Sequence, residues 1–225
     1  MQSKHNISEP PQASLKVIAI NGSPHREGNT AAVLAAMSGA LAGEGVETEI
    51  LQVGGKLVHG CTGCRHCRSS EGNRCVFDSD PVNEYSEKMR NAGGILLASP
   101  TYYGGIPGDM KCFLDRVFYS SSIYFRYKAG AAITVVRRAG GVGVVHQLKS
   151  YLELAETVTP PSQYWTAVYG RDPGEALRDG EGMQTVIKHA RSLAWLIKVL
   201  AASKGKIPTP DEARGEERIY THFIR

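Results

Sequence analysis

A chain of 225 residues with 42% apolar and 21% charged side chains is ordinary globular material, far from a disordered composition. The net charge of +4 comes from interleaved signs without a basic block, which disfavours nucleic acid or a membrane surface as a partner. The longest apolar run, Ala129 to Val136, is too short to cross a bilayer, and five cysteines, four of them crowded together, argue against a secreted disulfide scaffold. These features predict a soluble, cytoplasmic protein. Residues 1–15, polar and containing Pro10-Pro11, read as a flexible leader.

Lys16 to Asn21 is a short β-branched apolar run ending at Gly22, the pattern of a buried strand. A turn over Ser23 to Gly28 leads into a helix near Asn29, with Val33, Leu34, Met37 and Leu41 inward and Gly43 and Gly45 as its stop. Val46 to Gln52 is a second strand. Val53 to Ser79 has no usable periodicity and contains the crowded cysteines. Asp80-Pro81 forms an N-cap and N1 pair for a helix with Val82, Tyr85 and Met89 on one face. A third strand, Ile95 to Ser99, is followed by a turn over Pro100 to Gly108 and a helix facing inward through Met110, Phe113, Leu114, Val117 and Phe118. The fourth strand is Ala129 to Val136, and the turn Arg137 to Gly143 precedes a helix carrying Val145, Leu148 and Leu152. Tyr164 to Tyr169 is the fifth strand. The last helix runs from about Gly182 to Ser203.

Five strands alternating with five helical patterns predict an α/β fold, a doubly wound parallel sheet with helices on both faces. Glycine-rich turns follow strands one, three and four at their carboxyl ends, the edge where such sheets bind ligands. In the first, Asn21 to Thr30, backbone N–H groups at a helix N-terminus join the side chains of Ser23, Asn29 and Thr30 in an anion cradle. It is neither a Walker A loop nor GxGxxG, so a nucleoside triphosphate or the usual dinucleotide fingerprint is disfavoured.

Gly22-Ser-Pro with Gly28-Asn-Thr30, Ser99-Pro-Thr-Tyr-Tyr-Gly104 and Lys111-Cys-Phe-Leu-Asp-Arg116 together resemble the NADPH-dependent FMN reductase family of flavodoxin-like proteins. The cysteine cluster and Gly182-Met-Gln-Thr-Val186 resemble its iron–sulfur flavoprotein branch. The resemblance runs from Lys16 to Leu200. It implies a five-stranded sheet in the order 2-1-3-4-5 over residues 16–203, with a cysteine-rich insertion at 54–79 and a C-terminal arm at 204–225. By position, it implies that Ser23, His25, Asn29 and Thr30 surround the phosphate of a non-covalent FMN. Pro100, Thr101, Tyr102, Tyr103 and Gly104 would line the isoalloxazine ring. Relatives carry Arg where His25 stands, and Arg26 is the alternative source of that charge. Arg138, Gly140 and Gly141 occupy the turn that lies beside the flavin in relatives; Arg137 and Arg138 either meet the phosphates of NADPH and the reduced flavin or form a solvated pair.

Cys61, Cys64, Cys67 and Cys75 are spaced x2, x2 and x7, and such a set can wrap one metal centre. The branch resemblance implies a [4Fe–4S] cluster; a zinc site, redox-active thiols and an inherited loop without metal are the alternatives. Cys112, mid-helix beside Phe113, reads as a buried small hydrophobe. The seven histidines form no metal or triad pattern, which suits flavin chemistry because hydride transfer needs positioning rather than a protein nucleophile. The resulting expectation is an oxidoreductase passing electrons from NAD(P)H, or a ferredoxin, through FMN to a quinone, flavin, metal ion or iron–sulfur acceptor. The rival is a non-enzymatic electron carrier or redox sensor with a metal-binding cysteine loop. A homodimer or homotetramer is expected, with Tyr164 or Trp165 completing the flavin pocket and the apolar tip (Ile219, Tyr220, Phe223, Ile224) docked on a neighbour.

Overall fold

The computed structural model describes residues 14–214 together with 219, 221 and 223. The chain order is β1 (Lys16–Asn21), α1 (Asn29–Gly43), β2 (Glu47–Gln52), a long loop containing α2 (His66–Ser69), then α3 (Val82–Arg90), β3 (Gly94–Pro100) and α4 (Gly108–Ser121). It continues with β4 (Ala129–Val136), α5 (Gly141–Leu154), β5 (Ala167–Tyr169), α6 (Gly180–Ser203) and α7 (Pro210–Arg214). The strands form one parallel sheet in the order β2-β1-β3-β4-β5. The chain order reverses direction across the sheet between β1 and β3, so the crevice between the loops following these two strands is the natural ligand site.

β1, β3 and β4 are almost wholly buried, as strands covered on both faces must be. Val33, Leu34 and Met37 of α1 and Ala190, Leu193 and Ala194 of α6 pack on one face of the sheet. Val82, Tyr85 and Met89 of α3, Phe113, Leu114 and Val117 of α4, and Leu148 and Leu152 of α5 pack on the other. None of the described helices is long and apolar enough to cross a membrane.

Three expectations need correction. The fifth strand is shorter than Tyr164 to Tyr169, because the N–H of Ala167 turns back to the Trp165 carbonyl and the ladder with β4 starts only at Thr166 and Ala167. Tyr164 and Trp165 pack edge to face on each other and remain largely exposed. The third helix begins one residue later than expected, with Pro81 rather than Asp80 at its cap position; the Val82 N–H nevertheless donates to Asp80 Oδ1 at 3.2 Å. Cys112 is half-buried rather than fully buried, because it looks onto the cysteine loop instead of the core: a Cβ on Gly60 would stand 3.7 Å from its sulfur. In the arm, Asp211 pairs with Arg126 at 2.8 Å. Ile219 and Phe223 are exposed, whereas Tyr220, Ile224 and residues 1–13 lie outside the described residues.

Candidate functional site

The carboxyl edge of the sheet opens into a cavity of about 890 Å³. Its floor is the turn between β1 and α1, folded by a closed set of hydrogen bonds. The Ser23 N–H donates to Asn21 Oδ1 at 3.0 Å, and the His25 N–H donates to Ser23 Oγ at 3.2 Å. The Asn21 amide in turn donates to Gln52 Oε1 at 2.9 Å, and Gln52 Nε2 donates to the carbonyls of Ser23 and Gly54 at 2.6 and 2.7 Å. Gly54 is obligatory here, because a Cβ would stand 2.2 Å from the Ser23 carbonyl carbon.

Helix α1 has Gly28 at its N-cap position and so no side-chain cap, and its first main-chain bond is Ala32 N–H to the Gly28 carbonyl. The N–H groups of residues 29–31 therefore emerge at the cavity as an uncapped, positive helix end. Ser23 and Thr30, both buried, line it with their hydroxyls. Arg26, Arg137 and Arg171 reach the same cavity from three different loops, and Arg26 and Arg137 form no ion pair among the described residues. A built anion site of this kind fits a phosphomonoester better than a neutral ligand.

The wall opposite is the turn after β3. Thr101 N–H donates to the Val135 carbonyl, and Tyr102 and Gly105 exchange main-chain bonds at 2.9 Å, closing a tight turn in which Tyr103 and Gly104 both take positive φ, 50° and 76°. This leaves the N–H groups of Tyr103 and Gly104 without a partner among the described residues. Both tyrosines point outward, with Tyr103 fully exposed, so neither serves as a core residue. Thr101 Oγ1 lies 3.1 Å from Thr134 Oγ1, which anchors the turn to β4.

Of the residues expected around a flavin, Ser23, His25, Asn29, Thr30, Pro100, Thr101 and Tyr102 line this one cavity. Tyr103, Gly104, Arg138, Gly140 and Gly141 do not line it. Gly140 sits against Thr101 and Gly104 (a Cβ there would stand 3.3 Å from the Gly104 Cα), so the second and third turns form one rim. Asn29 has another occupation. Its amide donates to the Asp172 carbonyl at 2.9 Å, and its Oδ1 accepts the Ala176 N–H at 3.2 Å, which clamps the loop after β5. That loop contributes Gly170, Arg171 and Pro173, which sequence reasoning missed. Its position after a strand of the same parallel sheet was the available signal.

The cysteine loop forms a second centre. Cys61, Cys64, Cys67 and Cys75, all free thiols, surround a small cavity of about 20 Å³ that also touches Phe77, Arg116 and Tyr119. Cys67 is buried and Cys75 half-buried; burial pushes the Cys67 thiol pKa upward. Among the described residues, no three His, Cys, Asp or Glu side chains stand at metal-ligating separation. The chemistry of the donor set nevertheless fits a thiophilic centre: four cysteines and no carboxylate line the cavity, and the buried Arg116 guanidinium, paired with Asp80, donates to the Cys75 sulfur. The loop is held by buried and half-buried polar side chains of α3 and of the loop itself. Asn83 accepts the Cys75 N–H at 2.8 Å and donates to its carbonyl at 3.0 Å, and Asn73 donates to the Cys67 carbonyl at 2.9 Å. Arg90 donates to the carbonyls of Gly72 and Asn73 while lying over the Tyr124 ring. Through Gln52, which donates to both Ser23 and Gly54, the loop leaves β2 tied to the phosphate turn, and the Gly55 N–H bond to Asp109 at 2.6 Å ties it to α4.

A doubly wound sheet of this order with an anion cradle at the β1/β3 crevice defines a flavodoxin-like protein. Residues 15–172 match the NADPH-dependent FMN reductase family, and the chain belongs to that family, in its iron–sulfur flavoprotein branch. It is 31% identical over 194 residues to an iron-sulfur flavoprotein of Methanocaldococcus jannaschii, covering 83% of this chain and 99% of the relative. It is also 28% identical to an NADPH azoreductase of a Bacillus species over 60% of this chain and 66% of that one. Among solved structures, RosB with a bound 8-demethyl-8-formylriboflavin-5'-phosphate superposes with a TM-score of 0.68 at 16% identity, covering 94% of this chain and 92% of that one. At that identity the likeness is one of fold.

Proposed function

We propose that the protein is an FMN-dependent oxidoreductase that takes electrons from NAD(P)H or a ferredoxin and delivers them to a quinone, flavin, metal ion or iron–sulfur acceptor. The observation that carries this reading is the uncapped N-terminus of α1, opening with Ser23, Thr30 and three arginines into a cavity walled by the turn after β3. FMN held there would supply hydride-transfer and electron-transfer chemistry.

The chain's own residues bind and orient. The N–H groups of residues 29–31 and the hydroxyls of Ser23 and Thr30 would hold the phosphate. Arg26, Arg137 and Arg171 supply the balancing charge. At the rim of the cavity, the free N–H groups of Tyr103 and Gly104 would meet the polar edge of a ring that extends past the lining residues, where fixed dipoles tune its electronics. No protein nucleophile is needed. Four thiolates from Cys61, Cys64, Cys67 and Cys75 would hold an iron–sulfur centre, whose chemistry is single-electron transfer. The NADPH azoreductase relative supports a pyridine nucleotide as donor, and the iron-sulfur flavoprotein relatives support the cluster. The exposed Tyr164 and Trp165 are the surface we assign to a homodimer contact near the fifth strand.

The deciding experiment is a visible spectrum of anaerobically purified protein, followed by steady-state oxidation of NADPH and of NADH with a soluble acceptor. Released flavin should be FMN; FAD, or no flavin affinity on reconstitution, refutes the assignment. FMN without nucleotide turnover favours the second reading, an electron carrier fed by a protein donor, which the four-sulfur cavity supports.

A further inference from the structure

Helix α4 faces the core with Met110, Phe113, Leu114 and Val117, yet the largest fully buried side chain among the described residues, Arg116, lies on this helix among them. An arginine there is costly unless its N–H groups find partners. The partners all belong to the cysteine loop or its exit. One terminal nitrogen donates to the His59 carbonyl at 3.2 Å and to the Asp80 carboxylate, itself buried, and the other donates to the Phe77 carbonyl at 2.9 Å. The Nε–H donates to the sulfur of Cys75 at 3.2 Å. The guanidinium also lies 5.2 Å from the centre of the Phe77 ring, which stacks on His59 at 4.4 Å. One side chain thus joins residue 59, just before the first cysteine, to residues 75–80, at and beyond the last.

We propose that Arg116 is the positioning residue of the sulfur site: it closes the cysteine loop around its four thiols and, through the bond to the Cys75 sulfur, sets the reduction potential of the iron–sulfur centre those thiols hold. The proposal rests on the iron–sulfur reading of the loop. Hydrogen bonds to ligand sulfurs and nearby positive charge favour the more reduced, more negative state of such a centre, and groups that orient ligands control its affinity. Only a guanidinium can serve every contact at once. Three of its N–H groups point at carbonyls and a carboxylate while Nε points at sulfur, a planar fork that an ammonium group cannot reproduce.

The test uses the full chain, reconstituted anaerobically with ferrous iron and sulfide, as wild type and as Arg116→Lys. Iron per chain and the midpoint from an EPR-monitored redox titration are the readouts; bound FMN and near-UV circular dichroism control for folding. The expected result is wild type with about four irons, and a lysine variant that keeps FMN but either holds at least twofold less iron or holds it at a more negative midpoint. If the lysine variant does not fold, Arg116→Gln combined with Asp80→Asn removes both buried charges and is held to the same outcome. A variant with wild-type iron and wild-type midpoint overturns the proposal alone. A wild-type chain that takes up no iron overturns the iron–sulfur reading and the proposal with it.

Discussion

The two centres of this molecule are built by different means. The cradle at the head of α1 is built chiefly on backbone groups: the N–H groups of an uncapped helix end, on a short turn that the Asn21 and Gln52 side chains fold and the strands hold in place. The cysteine loop has no ladder to lean on. It depends on buried side chains of α3 and α4, with Asn83 and Arg116 between them fixing Cys75 at its N–H, its carbonyl and its sulfur. A site made of backbone tolerates most side-chain substitutions, whereas one held by a few buried polar groups fails when any of them is lost.

The largest expected effect falls where the two centres meet. In Gly54→Val the new side chain would be driven into the Ser23 carbonyl, 2.2 Å from its Cβ, so the phosphate turn and the start of the cysteine loop must separate. The upper end of overpacking costs, about 3 kcal/mol, should appear as a loss of FMN affinity of roughly a hundredfold. Iron uptake should fall in the same variant. FMN fluorescence titration beside iron analysis measures both, and unchanged FMN affinity would show that the turn is not the phosphate site.

Acid offers a perturbation that favours neither centre. His189 on α6 is 1% exposed, and neither ring nitrogen has a hydrogen-bond partner within normal distance. Burial pushes its pKa from 6.5 down to about 4, with the Pro161 backbone opposing only in part. As pH falls below 6.5 the unfolded chain gains this proton first, so the stability from the neutral buried ring is complete above 6.5 and is lost progressively down to 4. The full loss is about 3 kcal/mol. Because α6 packs on the face opposite α3 and α4, FMN and iron should be released together as the whole domain unfolds. Urea melts at pH 7 and 4.5 test this; in His189→Leu the slope over that interval should diminish. Release of iron far ahead of FMN in wild type would mean that the loop titrates on its own.

A smaller effect tests the cradle by itself. Thr30→Val removes one buried hydroxyl at nearly constant shape, and if that hydroxyl donates to phosphate, FMN binding should weaken by about 1–3 kcal/mol. Iron content should stay at the wild-type level. Cys64→Ser should do the reverse, removing iron and leaving FMN bound. A double loss in either variant would break the division between backbone cradle and side-chain loop.

That division also explains what the sequence disclosed. The parallel sheet, both helical faces and the phosphate turn were legible, because buried parallel strands and glycine-rich turns leave period and composition marks that Lys16 to Asn21 or Ile95 to Ser99 display plainly; the strand order came only with the family resemblance. The cysteine spacing was legible as a donor set. Its scaffold was not: nothing in the local pattern says that Arg116, three residues after Phe113 on an apolar helix, reaches across to His59 and Cys75, because those contacts bridge 57 and 41 positions of chain. Arg171 was missed for the same reason, since its place at the cavity depends on a clamp that closes between residues 29 and 176.

That clamp gives the finest of the distinctions. The family pattern puts Asn29 at the phosphate, while its amide here holds the loop after β5 through Asp172 and Ala176. Loss of two exposed or half-buried hydrogen bonds in Asn29→Ala should cost about 0.5–1.5 kcal/mol. If Asn29 acts as a clamp, this cost appears as faster amide exchange at residues 171–176. FMN affinity then falls only as far as the displaced Arg171 contributes, and raising the salt concentration narrows the gap to wild type, because a surface arginine acts through a screened charge. If Asn29 instead donates to phosphate, FMN affinity falls by a salt-independent factor and exchange at 171–176 is unchanged. Measuring binding at two ionic strengths alongside the exchange rates separates a residue that shapes the cavity wall from one that touches the ligand.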